Sequence, residues 1–459
     1  MESLMSVYKP SVDQETGTSR RRAALLAGCA AIVLLTVTAC GGGGGTTGGT
    51  TKDGFAQAAQ DKGALTVWVD ATRMAAAKQY QALHPGVKLH IVSYDGDANG
   101  SNYLQTKVQL FNRTGKGWPD VVFSSQNNEA SWAVDAGFAA PLNKGLIPDA
   151  TLGGFAKGAN DVCTVDGTLY CLRNDLSQAV LWYNAPLLKQ FGYTVPTTWE
   201  QYQALGEKVA KEHPGYLVGD AGDTFTPEIY MWASKCGANH ITGPKAVSVN
   251  TTSEACTKMA KLMDVLIKNK SMSISGVFST DFAKNKAHKV LLMPGPAWYG
   301  GAVFESGLKT PAKQIAVAPI PQWQGDTAPS TGNVGGGTWL LSKHSTHIKA
   351  ATDFLKWVTT DNAYQGSKAP GFPAYAPAAE NWLKAQAASG YFAGDLIALK
   401  DASSQVWSDW GSGQFSQEAI WAATVKPAMT QGKTIESMLP AWQDSIVKYA
   451  QADGYKVSK

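Results

Sequence analysis

Leu65-Thr66-Val67-Trp68-Val69 is a short apolar strand followed by the polar Asp70, and the chain beyond it keeps alternating strand and helix. Met74 to Leu83 predicts a helix that stops at His84-Pro85-Gly86, and Val87 to Tyr94 sets Val87, Leu89 and Ile91 on one face of a second strand. A helix carrying Tyr103, Val108, Leu110 and Phe111 comes next. Pro119-Asp120-Val121-Val122-Phe123 is the third strand, and Glu129 to Ala136 is a third helix ended by Gly137. This order predicts a parallel sheet covered by helices. Further out, Thr197-Thr198-Trp199-Glu200 reads as a capping box, with Trp199, Tyr202, Leu205 and Val209 on one helix face. That helix also ends at His-Pro-Gly (213–215), before the apolar Tyr216-Leu217-Val218, and the echo predicts two similar α/β lobes. A later helix from near Ser345 buries Ile348, Ala351, Phe354, Leu355 and Val358, and from 376 onward the pattern is mainly helical.

The 459 residues leave room for about two to three domains. With 44% hydrophobic and 17% charged residues, disorder as the main state is excluded. The formal charge is only +4, and no basic block follows Arg20-Arg21-Arg22, so a nucleic-acid partner is not expected. Trp is unusually frequent, with 15 residues, all after position 60.

The first 39 residues read as a signal peptide: a polar segment ending in Arg20-Arg21-Arg22, then an apolar run from Ala23 to Ala39. A membrane-spanning anchor is the competing reading, but glycines follow the run where stop-transfer charges would be needed. Val37-Thr38-Ala39-Cys40 resembles the bacterial lipobox, which implies cleavage before Cys40 and attachment of membrane lipid to it. Ser19-Arg20-Arg21 resembles a twin-arginine signal, but Ala23-Ala24 is a poor match to what usually follows, and general secretion stays open. Residues 40–61 then form a lipidated cysteine and a Gly/Thr tether. The expected location is the extracytoplasmic face of a bacterial cell membrane.

Four cysteines remain beyond Cys29 and Cys40, and in an oxidising compartment they allow two disulfides in three connectivities. Cys163 and Cys171 flank Asp166-Gly167, a hairpin-turn pair, which favours Cys163–Cys171 with Cys236–Cys256. The spacing does not fit a zinc site.

Several further stretches occur in a recognisable order: Trp118-Pro119-Asp120-Val121-Val122, Leu181-Trp182-Tyr183-Asn184, and Gly192-Tyr193 with Val195-Pro196-Thr197-Thr198-Trp199-Glu200. Met293-Pro294-Gly295-Pro296-Ala297-Trp298 and Gly335-Gly336-Gly337-Thr338-Trp339 complete the set. From about Leu65 to Ala450 the chain resembles the extracellular solute-binding proteins of family 1, the maltose-binding-like lipoproteins of ABC sugar importers. The resemblance implies an α/β, two-lobed periplasmic-binding-protein-like fold of type II, each lobe a mostly parallel sheet flanked by helices, with a helical C-terminal region. It implies crossings near Leu176–Leu181, near Gln314–Pro319 and after Tyr364. The N-lobe would then span 62–176 plus 316–364, and the C-lobe 181–312 plus 370–459. The implied partners are a sugar or oligosaccharide and the ABC permease subunits, with no cofactor, no metal and a monomeric chain.

Sugar recognition needs flat apolar faces and carboxylates or amides for the hydroxyls. Ligands of open α/β sheets sit beyond the carboxyl ends of strands. That rule selects Asp70 and Arg73 after the first strand and Ser124, Ser125, Gln126 and Asn127 after the third, although Asp70 could equally cap the helix that follows. Asp223 and Phe225 lie in a loop before a helix expected over Glu228–Ser234, and Trp298 and Tyr299 follow Pro294-Gly295-Pro296, read as a rigid turn. The resemblance adds Trp421 as a stacking aromatic and Gly336 as a contact. It also places Ser177 where relatives carry an acidic residue, which Gln178 could replace.

No catalytic motif competes. Gly432-Lys433-Thr434 lacks the upstream glycine of a P-loop, whose position is Pro427. Neither Gly-x-Ser-x-Gly nor His-Glu-x-x-His occurs. His344 and His347, between Lys343 and Lys349, read as solvated. A glycosidase pair such as Asp70 and Asp223 is the enzymatic alternative. A surface lipoprotein without transport, or a binding protein for a non-sugar solute, are the others.

Overall fold

The computed structural model describes residues 63–458 apart from Ser412, so the signal, Cys40 and the tether up to residue 61 lie outside the described residues. Leu65–Val69 pairs in parallel with both Leu89–Ser93 and Val121–Ser124. The sheet continues through Thr338–Leu341, antiparallel to Val121–Ser124, and ends on Cys171–Arg173. The first three strands are parallel because a helix returns the chain between each pair; Met74–Leu83 and Tyr103–Thr114 do this. Thr338–Leu341 enters from far along the chain and is free to run the other way. Val67, Phe123, Trp339 and Phe354 are fully buried in the core beneath.

The second core forms around Ala179–Asn184, which is antiparallel to Leu292–Pro296 on one side and to Ile315–Ala318 on the other. Parallel pairing survives there in Gly219–Asp220 with Met272–Ser273. Pro294-Gly295-Pro296 is therefore strand and not a turn. The two prolines, two residues apart, both lie on an edge of the three-stranded ladder, where a missing N–H costs nothing. Ala376–Ser389, Ile397–Ser403, Gln417–Thr430 and Ile435–Ala452 make the C-terminal part helical.

The first core holds residues from Leu65 to Leu172 and from Trp339 to Tyr364, with Ala374; the second holds Ala179 to Val334, Ala369, Phe372 and Ala379 to Tyr455. The return crossing thus lies between Val334 and Trp339. It comes later than 314–319, because Ile315–Ala318 is tied into the second lobe's ladder. The crossing segments pair with each other: Asp175–Leu176 with Phe372–Pro373, and Gln178 with Asn333.

Three local readings shift. The cap of Trp199–Glu212 is Thr198, whose Oγ1 accepts from Gln201 N at 3.2 Å while Gln201 Oε1 accepts from Thr197 N at 2.9 Å. The box sits one residue later than Thr197/Glu200. Glu200 instead accepts from Gln324 N. Helix Ile348–Thr360 starts after Ser345, whose Oγ donates to Asp120 Oδ1 at 2.5 Å. His347 Nδ1 meets the same oxygen at 3.2 Å, and His344 stacks on Trp118 at 4.0 Å, so these histidines brace the loop and are not simply solvated. Disulfides join Cys163 to Cys171 and Cys236 to Cys256. The first closes over a hairpin whose Asp166 and Gly167 take φ +47° and +75°, the left-handed pair that a tight turn requires.

Candidate functional site

A cavity of about 280 Å³ lies between the two cores, bounded by both lobes and by the crossing segments. From the first lobe, Asp70 and Arg73 reach it from the end of Leu65–Val69, and Ser125 and Gln126 from the end of Val121–Ser124. The crossing segments contribute Asp175, the glycines Gly335, Gly336 and Gly337, and Gly371. Phe225, Phe278, Trp298 and Glu418 come from the second lobe. Gly336 has φ +90°, and a β-carbon there would meet Ser177 Oγ at 2.7 Å, so the backbone itself forms this wall.

The polar side is organised around Arg73. Asp70 Oδ1 accepts from Arg73 N at 2.7 Å, which closes the turn before the helix, and its Oδ2 meets Arg73 Nη1 at 3.2 Å. Arg73 Nη2 meets Asp175 Oδ1 at 3.1 Å, and the guanidinium lies 4.2 Å from the Phe123 ring centre. Asp70 thus shapes the turn and also lines the cavity. Burial pushes the Asp175 carboxyl above its ordinary range even though Arg73 and Asn174 pull it down.

Opposite stands an aromatic wall. Trp298 Nε1 donates to Val334 O at 3.0 Å, fixing the indole to a crossing segment. Phe225 meets Trp298 edge-on at 5.7 Å, and Phe278 lies nearly parallel to it at 5.9 Å while 60% exposed.

Between these walls the lobes touch. Gln126 Nε2 donates to Glu418 Oε1 at 3.3 Å, and Thr224 Oγ1 donates to Glu418 Oε2 at 3.2 Å. Asn128 Nδ2 donates to Gln414 O at 3.1 Å, and Lys245 pairs with Asp135 at 2.6 Å. Burial pushes Glu418 from 4.5 up to about 7, partly offset by the Gln126 and Thr224 hydrogen bonds. Glu228, buried and near Glu418, is pushed well above its usual range, and Asp223 rises to about 7 through burial and Asp220. An acid whose folded pKa exceeds its unfolded value binds more protons when folded. Its favourable contribution is therefore present below about 4.5 and lost as pH rises through about 7. We expect unfolding free energy to fall across that window and the fall to be shallower in Glu418→Gln. An equally steep profile in the variant, followed by denaturant unfolding, would remove Glu418 from the cause.

Of the sequence candidates, Asp70, Arg73, Ser125, Gln126, Phe225, Trp298 and Gly336 share this cavity. Four do not line it. Gln178 is fully buried and its Nε2 donates to Leu399 O. Asp223 turns away to accept from Val277 N at 3.0 Å, so it does not share the cavity with Asp70 as a glycosidase pair would. Tyr299 is 2% exposed, edge-on beneath Trp298. Trp421 packs edge-on against Trp442 at 5.0 Å, because it lies roughly 200° round the helix from Ala419, which faces the first lobe. Ser177 bonds through its N–H to Asn333 Oδ1. Sequence reasoning missed Asp175, Phe278 and Glu418. The polar run Arg173-Asn174-Asp175 before an apolar crossing was a usable signal; Glu418 looks like any first-turn acid after the N-cap Ser416.

The model of the family described as bacterial extracellular solute-binding protein matches residues 66–365. The lactose-binding protein of Rhizobium radiobacter is 25% identical over 415 residues, covering 85% of this chain and 93% of that protein. The multiple sugar-binding protein of Streptococcus mutans is 28% identical over 204 residues, 40% of this chain and 46% of that one. The galacto-N-biose-/lacto-N-biose I-binding protein of Bifidobacterium longum, solved with lacto-N-biose, superposes with a TM-score of 0.71 at 18% identity, covering 87% of this chain and all of that one. An ABC transporter associated binding protein of B. animalis subsp. lactis, solved with β-1,6-galactobiose, gives 0.71 at 21% identity, over 86% and 99% of the chains. With its two cores and interlobe cavity, the chain belongs to the family of bacterial extracellular solute-binding proteins.

Proposed function

We propose that this protein is the lipid-anchored, sugar-binding component of an ABC importer, holding a sugar or oligosaccharide between its lobes and presenting it to membrane permease subunits. The carrying observation is the facing of Trp298, Phe225 and Phe278 against Asp70, Asp175, Gln126 and Glu418 across one cavity. Flat apolar rings suit the C–H face of a sugar, and acceptors at the edge suit its hydroxyls. Arg73 is the one cation lining the cavity among the described residues, and it is already held by Asp70 and Asp175. An anionic solute therefore finds no uncommitted positive charge. Relatives whose names specify lactose or multiple sugars support the same class. The family is one of binding proteins and not enzymes, so capture and release are the whole task, with ATP hydrolysis on other chains.

The test is a thermal-shift screen over mono- and oligosaccharides followed by titration of Trp298→Ala. A saccharide at 100 times its dissociation constant adds about 2.7 kcal/mol to unfolding. Removing the indole should weaken binding by about 1–3 kcal/mol while the fold survives. A folded variant with unaltered affinity would sink the platform role.

Location follows from the N-terminal reading. No helix among the described residues is long and apolar enough to cross a membrane. Lipid on Cys40 would hold the mature chain at the outer face, with residues 41–61 as the leash. Cys40→Ala is expected to move the protein from the membrane fraction into the medium. Retention on the membrane would favour an uncleaved helix at residues 23–39.

A further inference from the structure

A second chamber, of about 600 Å³, lies between the lobes away from the cleft. Its position follows from strand geometry. Asp175 and Val334 line the cleft, whereas their immediate neighbours Leu176 and Asn333 line the chamber. Successive residues of an extended segment point to opposite sides, so the chamber occupies the reverse face of the crossing segments. A further space of about 20 Å³ is lined by Gln126, which also lines the cleft, and by Trp232 and Trp410, which also line the chamber. That is about the room of one water.

The chamber's chemistry is specific. Trp232 and Trp410 are stacked at 5.1 Å and 8°, and Trp232 Nε1 donates to the backbone O of Trp407 at 2.8 Å, which ties the stacked pair to the segment that carries Trp407. Trp407 is half-buried, and Ser404 and Ser408 stand at the exposed rim. The rim charges, Lys157 and Asp161, are of opposite sign. Arg173 also lines the chamber, but its guanidinium donates to Asn127 Oδ1, Asp175 O and Gly335 O and is committed. The wall thus offers aromatic faces and hydroxyls without a net charge to attract an ion.

We propose that this chamber is a second saccharide site, taking a neutral sugar unit against Trp407 and the Trp232–Trp410 pair, loaded independently of the cleft. Residues of both lobes form it: Lys157, Asp161 and Arg173 from one, Trp232 and Trp407 from the other.

The experiment counts equivalents of lactose, β-1,6-galactobiose and maltose by equilibrium dialysis on the full mature chain, up to tens of millimolar. Two equivalents are expected for at least one probe. Trp407→Ala should weaken one of them about tenfold or more, and Ser404→Trp, an exposed position whose new indole fills the chamber, should abolish it. Trp298→Ala should instead weaken the other equivalent. No bound equivalent for any probe overturns the proposal, as does any result in which every bound equivalent survives both Trp407→Ala and Ser404→Trp. If Trp298→Ala changes nothing while Trp407→Ala and Ser404→Trp remove binding, the cleft reading fails and the chamber stands.

Discussion

Arg73→Met is expected to destabilise the protein by about 3–5 kcal/mol, because it leaves the buried Asp175 carboxylate without its cation. The pair is not a surface ornament: Asp175 is 1% exposed at its side chain and Arg73 14%. Asp70, at 16%, loses the same partner but keeps its bond to the residue-73 N–H, so most of the cost falls on Asp175. Met keeps the length of the stem over Phe123, which confines the change to charge and hydrogen bonding. Asp175→Asn added to Arg73→Met should recover a large part of the loss, since the amide needs no counter-charge. Denaturant unfolding of the two single variants and the double variant closes the cycle. Strictly additive losses would show that Asp175 and Arg73 do not depend on each other. Saccharide affinity should fall alongside, because the triad sets the polar edge of the cleft.

Why this triad was only half legible is instructive. Asp70 and Arg73 stand where a strand gives way to a helix, a place sequence periodicity marks well. Asp175 reaches them from 102 residues away, and nothing local announces that meeting. The same contrast runs through the fold. Leu65–Val69, Met74–Leu83 and Val121–Ser124 were legible because helix and strand periods are local. The return crossing was not, since Ile315–Ala318 and Thr338–Leu341 are equally apolar strands and only their partners assign them to lobes. Among the aromatics, burial decided. Trp298 and Trp421 both sit in apolar surroundings in the sequence, yet one lines a cavity and the other packs at 0% exposure. The prolines 294 and 296 misled because edge strands accept what central strands reject.

Gly100→Leu is expected to lower saccharide affinity at least tenfold, about 1.4 kcal/mol, by wedging the lobes apart. Gly100 lies two residues after Ala98 at the first-lobe rim, with φ +70°, and a β-carbon there would stand 2.9 Å from Ala419 Cβ and 3.1 Å from Ala419 N in the second lobe. A clash with backbone on a helix cannot be relieved by a rotamer change. The strain of a side chain at positive φ is borne whether the lobes meet or part, so it cancels in the closing equilibrium; the collision with Ala419 does not. The Gln126–Glu418 and Asn128–Gln414 bonds form only when the lobes touch, and the wedge denies them all together. A ligand that contacts both lobes favours the closed arrangement by its differential affinity, and the wedge subtracts from that difference. Small-angle scattering with and without saturating saccharide separates the effects: the native chain should contract, and Gly100→Leu should not. Gly100→Ala, with the smaller wedge, should fall between them. A Leu variant that contracts fully and binds normally would show that the cleft does not close through this contact. The motion would then have to hinge elsewhere than across the Gly100–Ala419 face.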